Sequence, residues 1–318
     1  MTLPVFSRTL VSGLLALSVM TSAFADDFVE QAKQRIADAT QPWHHWNGPI
    51  TGPAAQADKQ VLFVAADLRN SGVLGVSEGV QDAARAIGWK LRVLDGQGSI
   101  SGRTAALNQA LALNPDGIIL GGFDAHEQAA AISKVRAANI PMVGWHAGPG
   151  AGAMPAEGLF VNVTTDPTEV AKIAAYYAVA QSDGKAGVVI FTDSLYTVAT
   201  AKSDAMAEVI KQCSGCSLLE VQDTPLAETS TRMPQLTTSL LQRHGDKWNY
   251  ALGINDLYFD FIGPSLSRVG RKPDQPPFSL SAGDGSESAF QRIRKSRYQV
   301  ATVPEPLNLH GWQLIDEL

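Results

Sequence analysis

From Gln60 onward, two kinds of hydrophobic pattern alternate along the chain. Val61–Ala66, Leu91–Leu94, Gly117–Leu120 and Pro141–Trp145 are short, nearly continuous apolar runs of the kind that form buried strands. The segments between them have helical spacing. Val73–Ile87 predicts one helix, and Ser101 is expected to cap a second that presents Ala105, Leu107, Ala110 and Leu111. Asp124 is expected to open a third, with Glu127 three residues on as its capping-box partner. Continuous apolar strands joined by helices predict a parallel sheet covered on both faces.

A second series begins at Leu159–Val163. Asp166-Pro167-Thr168-Glu169 carries an acidic cap, a proline in the first turn and a glutamate at the third position, a strong helix start. Strands are predicted at Gly187–Phe191, Leu218–Val221, Tyr250–Ile254, Phe278–Ser281 and Gln299–Val303, with a last helix from about Leu309. Two successive series of similar length predict two Rossmann-like α/β lobes with parallel sheets rather than one oversized sheet.

The residues before Gln60 read differently. Arg8 precedes an apolar run from Leu10 to Met20, and Ala23-Phe24-Ala25 supplies small residues at a cleavage site: a secretory signal, cut after Ala25. The run is shorter than the roughly 20 residues a membrane span needs. The mature protein is therefore expected outside the cytoplasm, in the periplasm. Residues 26–58 read as an extension, with a helix from Asp26 to Ala39, then the Trp43-His44-His45-Trp46 cluster and a Gly/Pro/Ala linker. No carboxylate or thiol stands at helical spacing beside those histidines, so they are expected to pack on the body rather than hold a metal.

Charge narrows the partners. With Arg8 removed, 24 basic residues face 31 acidic ones, and there is no basic run to meet nucleic acid or anionic lipid. A small molecule is the expected partner, and a monomer the expected state. The only cysteines, Cys213 and Cys216, close a helix rather than open one, which favours a structural disulfide over a redox pair.

Candidate chemistry gathers at the carboxyl ends of the strands, where open α/β sheets bind ligands. Asp67, Arg69 and Asn70 follow the first strand, and Trp145-His146 ends the fourth. Thr192-Asp193-Ser194, Tyr196 and Lys202 follow Gly187–Phe191, and Asn255-Asp256 follows Tyr250–Ile254. Gly283-Asp284-Gly285 comes after Phe278–Ser281, and Glu305 lies between Pro304 and Pro306. Any one of these polar residues also suits a helix cap. Phosphate-binding loops, a nucleophile elbow and a zinc-protease helix are absent from the sequence, so neither an enzyme nor a cofactor or metal site is expected.

From Gln60 to Leu318 the chain resembles the periplasmic binding proteins of the ribose/galactose type (type 1), which feed ABC importers. The likeness rests on the strand-helix order and on local matches. These are Asp67-Leu68-Arg69-Asn70 with Glu78-Gly79-Val80-Gln81, Asn139-Ile140-Pro141-Met142-Val143, Gly253-Ile254-Asn255-Asp256, Gly283-Asp284-Gly285 and Ala301-Thr302-Val303. The resemblance implies two lobes joined by a multi-strand hinge, the first of residues 59–164 plus 306–318 and the second of residues 165–305. It implies that Asn70 and His146 face a ligand from the first lobe, Lys202, Asn255 and Asp284 from the second, and that Glu305 sits at a hinge crossing. Trp145, Tyr196 or Tyr258 would supply a stacking face. Sugar binders of this family hold hydroxyls with an Asp-Arg pair where this chain has His146-Ala147, an arginine at Lys202 and a glutamine at Glu305, and they stack rings at Gly72 and Val73. Those departures weaken a simple aldose assignment. The expected function is hinge closure on a sugar or sugar-like solute, read by an ABC permease or by a membrane sensor. Because family members continue beyond the last helix, exposed Leu314 and Ile315 would mark this chain as a fragment.

Overall fold

The computed structural model describes residues 27–42, 45–46 and 48–318, so the expected signal segment, Trp43 and His44 lie outside the described residues. Two sheets organise the chain. The first runs β1 (Gln60–Ala65), β2 (Lys90–Asp95), β3 (Gly117–Gly121), β4 (Met142–Trp145), β5 (Gly152–Met154) and β6 (Leu159–Val163), in the spatial order β2-β1-β3-β4-β6-β5. The second runs β7 (Gly187–Thr192), β8 (Ser217–Asp223), β9 (Tyr250–Gly253), β10 (Phe278–Ser281) and β11 (Gln299–Thr302), in the order β11-β10-β9-β7-β8. All pairs are parallel except β5 with β6. Central strands β1, β3 and β7 are buried almost throughout, as strands covered on both faces must be. This is the two-lobed α/β architecture that the alternating pattern predicts.

The helices are α1 (residues 27–39), α2 (Ser71–Ala86), α3 (Ile100–Ala112), α4 (Ala129–Ala137), α5 (Pro167–Gln181), α6 (Thr197–Gln212), α7 (Thr229–His244), α8 (Gly263–Arg268), α9 (Glu287–Arg294) and α10 (Leu307–Asp316). Asp166 caps α5 as expected, its carboxylate accepting from the Thr168 and Glu169 amides, with Pro167 opening the helix.

Two caps differ from expectation. Ser99, not Ser101, caps α3: its hydroxyl accepts from the Gly102 amide at 3.0 Å. The buried stripe of α3 is then Arg103, Ala106, Leu107 and Ala110, and Ala105 faces solvent. Asp124 opens only a short 3-10 turn at His126–Gln128 by accepting from the His126 amide. Glu127 caps nothing, because Arg103 takes both of its oxygens.

The chain passes from the first sheet to the second between β6 and α5, and returns between β11 and α10. There α10 packs back onto α2, and the crossing is tight enough to need two glycines. A β-carbon on Gly79 would strike the Asn308 backbone at 2.5 Å, and the Gly311 Cα faces the Gly79–Val80 peptide. Leu314 and Ile315 are buried in this packing, not exposed as the sequence led us to expect.

α1 docks on the second lobe. Phe28 packs on Tyr176 of α5 with ring centroids 6.1 Å apart, Ala32 is fully buried, and Lys33 pairs with Asp183 at 3.3 Å. The chain then reaches the first lobe, where Trp89 donates its indole N–H to the Gln56 carbonyl. Cys213 and Cys216 form a disulfide between α6 and β8, with Cα atoms 5.3 Å apart.

Candidate functional site

Carboxyl ends of the two sheets face one another across a cavity of about 50 Å³. Three backbone features aim the polar side chains into it. Asn70 caps α2, its side-chain oxygen accepting from the Gly72 amide at 2.9 Å, which leaves its amide N–H groups free to face the cavity. His146 has a positive φ of 50° directly after β4, which turns its ring out of the strand line and back onto Trp145. The two rings stack with centroids 4.0 Å apart, and both line the cavity. Gly283, also at positive φ, carries the backbone so close to Lys202 Nζ that a β-carbon would lie 3.1 Å from it.

Charge is concentrated where the chain crosses between lobes. Glu305, just past β11, accepts from Lys202 Nζ at 3.0 Å through Oε1 and meets His146 Nε2 at 3.0 Å through Oε2. One carboxylate thus joins the first lobe, the hinge and the second lobe. Burial alone would raise the Glu305 pKa, but His146 and Lys202 outweigh it and hold the carboxyl well below the usual range. Lys202 is opposed by its own burial, yet Glu305 and Asp284 keep its pKa raised. Asp284 accepts from Asn255 Nδ2 at 2.6 Å. Burial pushes its pKa up to about 6 against the pull of Lys202, with Glu305 adding to the rise.

Most of the remaining wall is apolar, with Asp67 and Tyr196 as its polar members. Val198 and Ala199 of α6, Leu226 and Ala227 after β8, and Ile254 and Leu257 after β9 line the cavity from the second lobe. Lys202 shares α6 with Val198 and Ala199, and Asn255 stands between Ile254 and Leu257 after β9, so polar and apolar groups are interleaved around the cavity.

Both rims are in contact. Thr197 Oγ1 of the second lobe donates to Asp124 Oδ2 of the first at 2.5 Å. Arg103, fully buried, forms a two-bond pair with Glu127 and lies over the rings of Phe123 and Tyr196, 5.8 and 5.7 Å from their centroids. Ala227 abuts Gly98, beside the exposed Arg69 that pairs with Asp67. On the opposite side, Asp284 Oδ2 fills the space where a Gly72 side chain would begin. The lobes are closed.

Of the residues singled out in the sequence, Asp67, Asn70, Trp145, His146, Tyr196, Lys202, Asn255 and Asp284 line this cavity, and Glu305 lies directly behind it. Tyr258 does not: it is buried against Phe191 and donates its hydroxyl to the Thr224 carbonyl, so it offers no face to a ligand. Asp193 and Asp256 are structural, accepting from backbone amides of neighbouring loops. Arg103 and the apolar wall were missed. Arg103 left a usable signal, since it falls on the same helical stripe as Ala106, Leu107 and Ala110; a charge there has to find a buried partner.

A family model for the periplasmic binding protein domain matches residues 61–316. The chain belongs to the periplasmic binding protein family. Solved structures with this fold include a glucose-galactose binding protein, GanP, from Geobacillus stearothermophilus. It is 21% identical with a TM-score of 0.70, over 82% of this chain and 89% of that one. An ABC transporter solute-binding protein from Agrobacterium vitis bound with α-D-tagatopyranose is 15% identical with a TM-score of 0.71, over 81% and 87%. A second from Agrobacterium vitis, with bound allitol, is 19% identical with a TM-score of 0.68, over 81% and 87%. At these identities the likeness establishes the fold alone. No curated protein matches the sequence significantly.

Proposed function

We propose that this chain is the substrate-binding component of an ABC-type importer, capturing a sugar or sugar-like hydroxylated solute in the periplasm by hinge closure and performing no chemistry on it. The observation that carries this reading is the convergence of polar groups from both lobes on one cavity whose rims touch. A solute held by Asn70 and His146 on one side and by Lys202, Asn255 and Asp284 on the other binds the closed state far better than the open one, and so shifts the population towards it. Each polar group left unmatched on closure costs about 1–3 kcal/mol, which is the source of selectivity. A membrane permease then reads the closed shape, with the protein acting as a monomer. Structural neighbours named for sugars and a polyol support the ligand class.

One observation favours a second listener. α1 lies outside the span of the family match and adds a surface to the second lobe, a suitable contact for a membrane sensor such as a histidine kinase or chemoreceptor.

The test is solute uptake in cells lacking the gene, together with small-angle scattering of the purified protein. Loss of uptake, and compaction on adding the solute, support the importer reading. Intact uptake with lost transcriptional or chemotactic response supports the sensor. Turnover of any solute by pure protein would overturn both.

A further inference from the structure

Resting on the solute-binding part of that reading and narrowing its hydroxylated solute to one smaller than a sugar ring, we infer that the ligand is a short-chain alcohol or vicinal diol of two to four carbons, not a pyranose. Size is the first argument. The closed cavity measures about 50 Å³, room for roughly three to five water centres, whereas a cavity that holds one benzene ring is about 150 Å³. A hexopyranose has twice the heavy atoms of benzene. The lobes cannot simply stand further apart around it without breaking the rim contacts: Thr197 with Asp124, Tyr196 with Arg103, and Asp284 against Gly72.

Polarity is the second argument. Among the described residues Asp284 Oδ1 has no donor, Asn70 Nδ2 has no acceptor, and Lys202 Nζ uses one of its three N–H groups, on Glu305. The unused set therefore includes one anionic acceptor beside two kinds of donor. A hydroxyl satisfies it fully, donating to Asp284 while accepting from Lys202 or Asn70. A carboxylate does not, because it only accepts: it would face Asp284 with the charge of Lys202 already matched by Glu305.

Shape is the third. Val198, Leu226 and Leu257 line the cavity beside the polar groups, so the ligand carries alkyl as well as hydroxyl. A polyol hydroxylated at every carbon would leave hydroxyls against that wall without partners.

Isothermal titration calorimetry of the mature protein tests this with 1,2-propanediol, 2,3-butanediol and 1-butanol against lactate, D-ribose and D-galactose. Stoichiometric binding of at least one alcohol or diol, 10-fold or more tighter than any acid or sugar, is the expected result. Leu257→Ala should then shift preference by several-fold towards the longer homologue, which a purely structural role for Leu257 would not produce. Tight binding of ribose or galactose without any alcohol overturns the inference while leaving the solute-binding reading intact, as does a preference for lactate. If no probe binds and scattering detects no change of shape with any solute, the solute-binding reading falls too.

Discussion

Asp284 of the second lobe presses its carboxylate onto the bare Cα of Gly72, the second residue of α2 in the first lobe. Adding a methyl there is harmless to α2 itself, since Gly72 is not among the glycines at positive φ. It is not harmless to closure, because the carboxylate and its β-carbon both lie within overlap distance.

Gly72→Ala should therefore hold the lobes apart. Small-angle scattering should give a larger radius of gyration than the parent protein, and solute affinity should fall by about 10-fold or more, equivalent to roughly 1.4 kcal/mol. A melting temperature within a few degrees of the parent would confirm that the fold is intact. Unchanged affinity and radius would remove this contact from the closed state.

Asp284→Asn separates binding from stability. The native carboxyl titrates near 6, above the ordinary aspartate value of 3.8 in the unfolded chain. The folded state therefore holds the extra proton between those values, and stability from this group falls as pH rises through that window. Above pH 6 the penalty is fully present, so the amide should raise the melting temperature by on the order of a few degrees at pH 7.5, with little effect near pH 4. Binding should weaken at both. A lower melting temperature at pH 7.5 would refute the assignment.

His310 works in the opposite direction. Its Nδ1 accepts the Trp145 indole N–H at 3.1 Å, and burial lowers its pKa to about 4 from 6.5. The unfolded chain takes up this proton first, so stability from this group is present above pH 6.5 and is lost as pH falls towards 4. His310→Gln keeps an acceptor and cannot titrate. Thermal melts from pH 7 to 4 should be flatter for this variant, and identical slopes would count against the idea.

Arg103 and Glu127 form a buried pair whose value lies in not being broken. Arg103→Met leaves the Glu127 carboxylate without its cation, with only the Gln128 amide as partner, and should cost about 3–5 kcal/mol, whereas adding Glu127→Leu should recover most of it. Differential scanning calorimetry of the two variants checks this. A double variant no more stable than the single one would show that the rings of Phe123 and Tyr196, rather than charge, dictate the cost.

Much of this architecture was readable in the pattern. The central strands of both lobes are apolar on both faces and left continuous runs, and the polar lining of the cavity stood out because polar residues ended those runs. The apolar lining could not be seen. Val198, Leu226 and Leu257 have the composition of any core residue, and only the folded lobes bring them to the wall of the cavity. β5 was missed because Gly152-Ala153-Met154 is too short to show a period. Glu127 was misread since a capping glutamate and a buried ion-pair glutamate look alike until Arg103 is placed beside it.

α1 has a consequence for how the molecule is made. Its buried face rests on Tyr176 and the Asp183 turn, which are synthesised long after it. A helix of this length is marginal alone in water. The segment therefore cannot find its seat until α5 and the turn after it have been made.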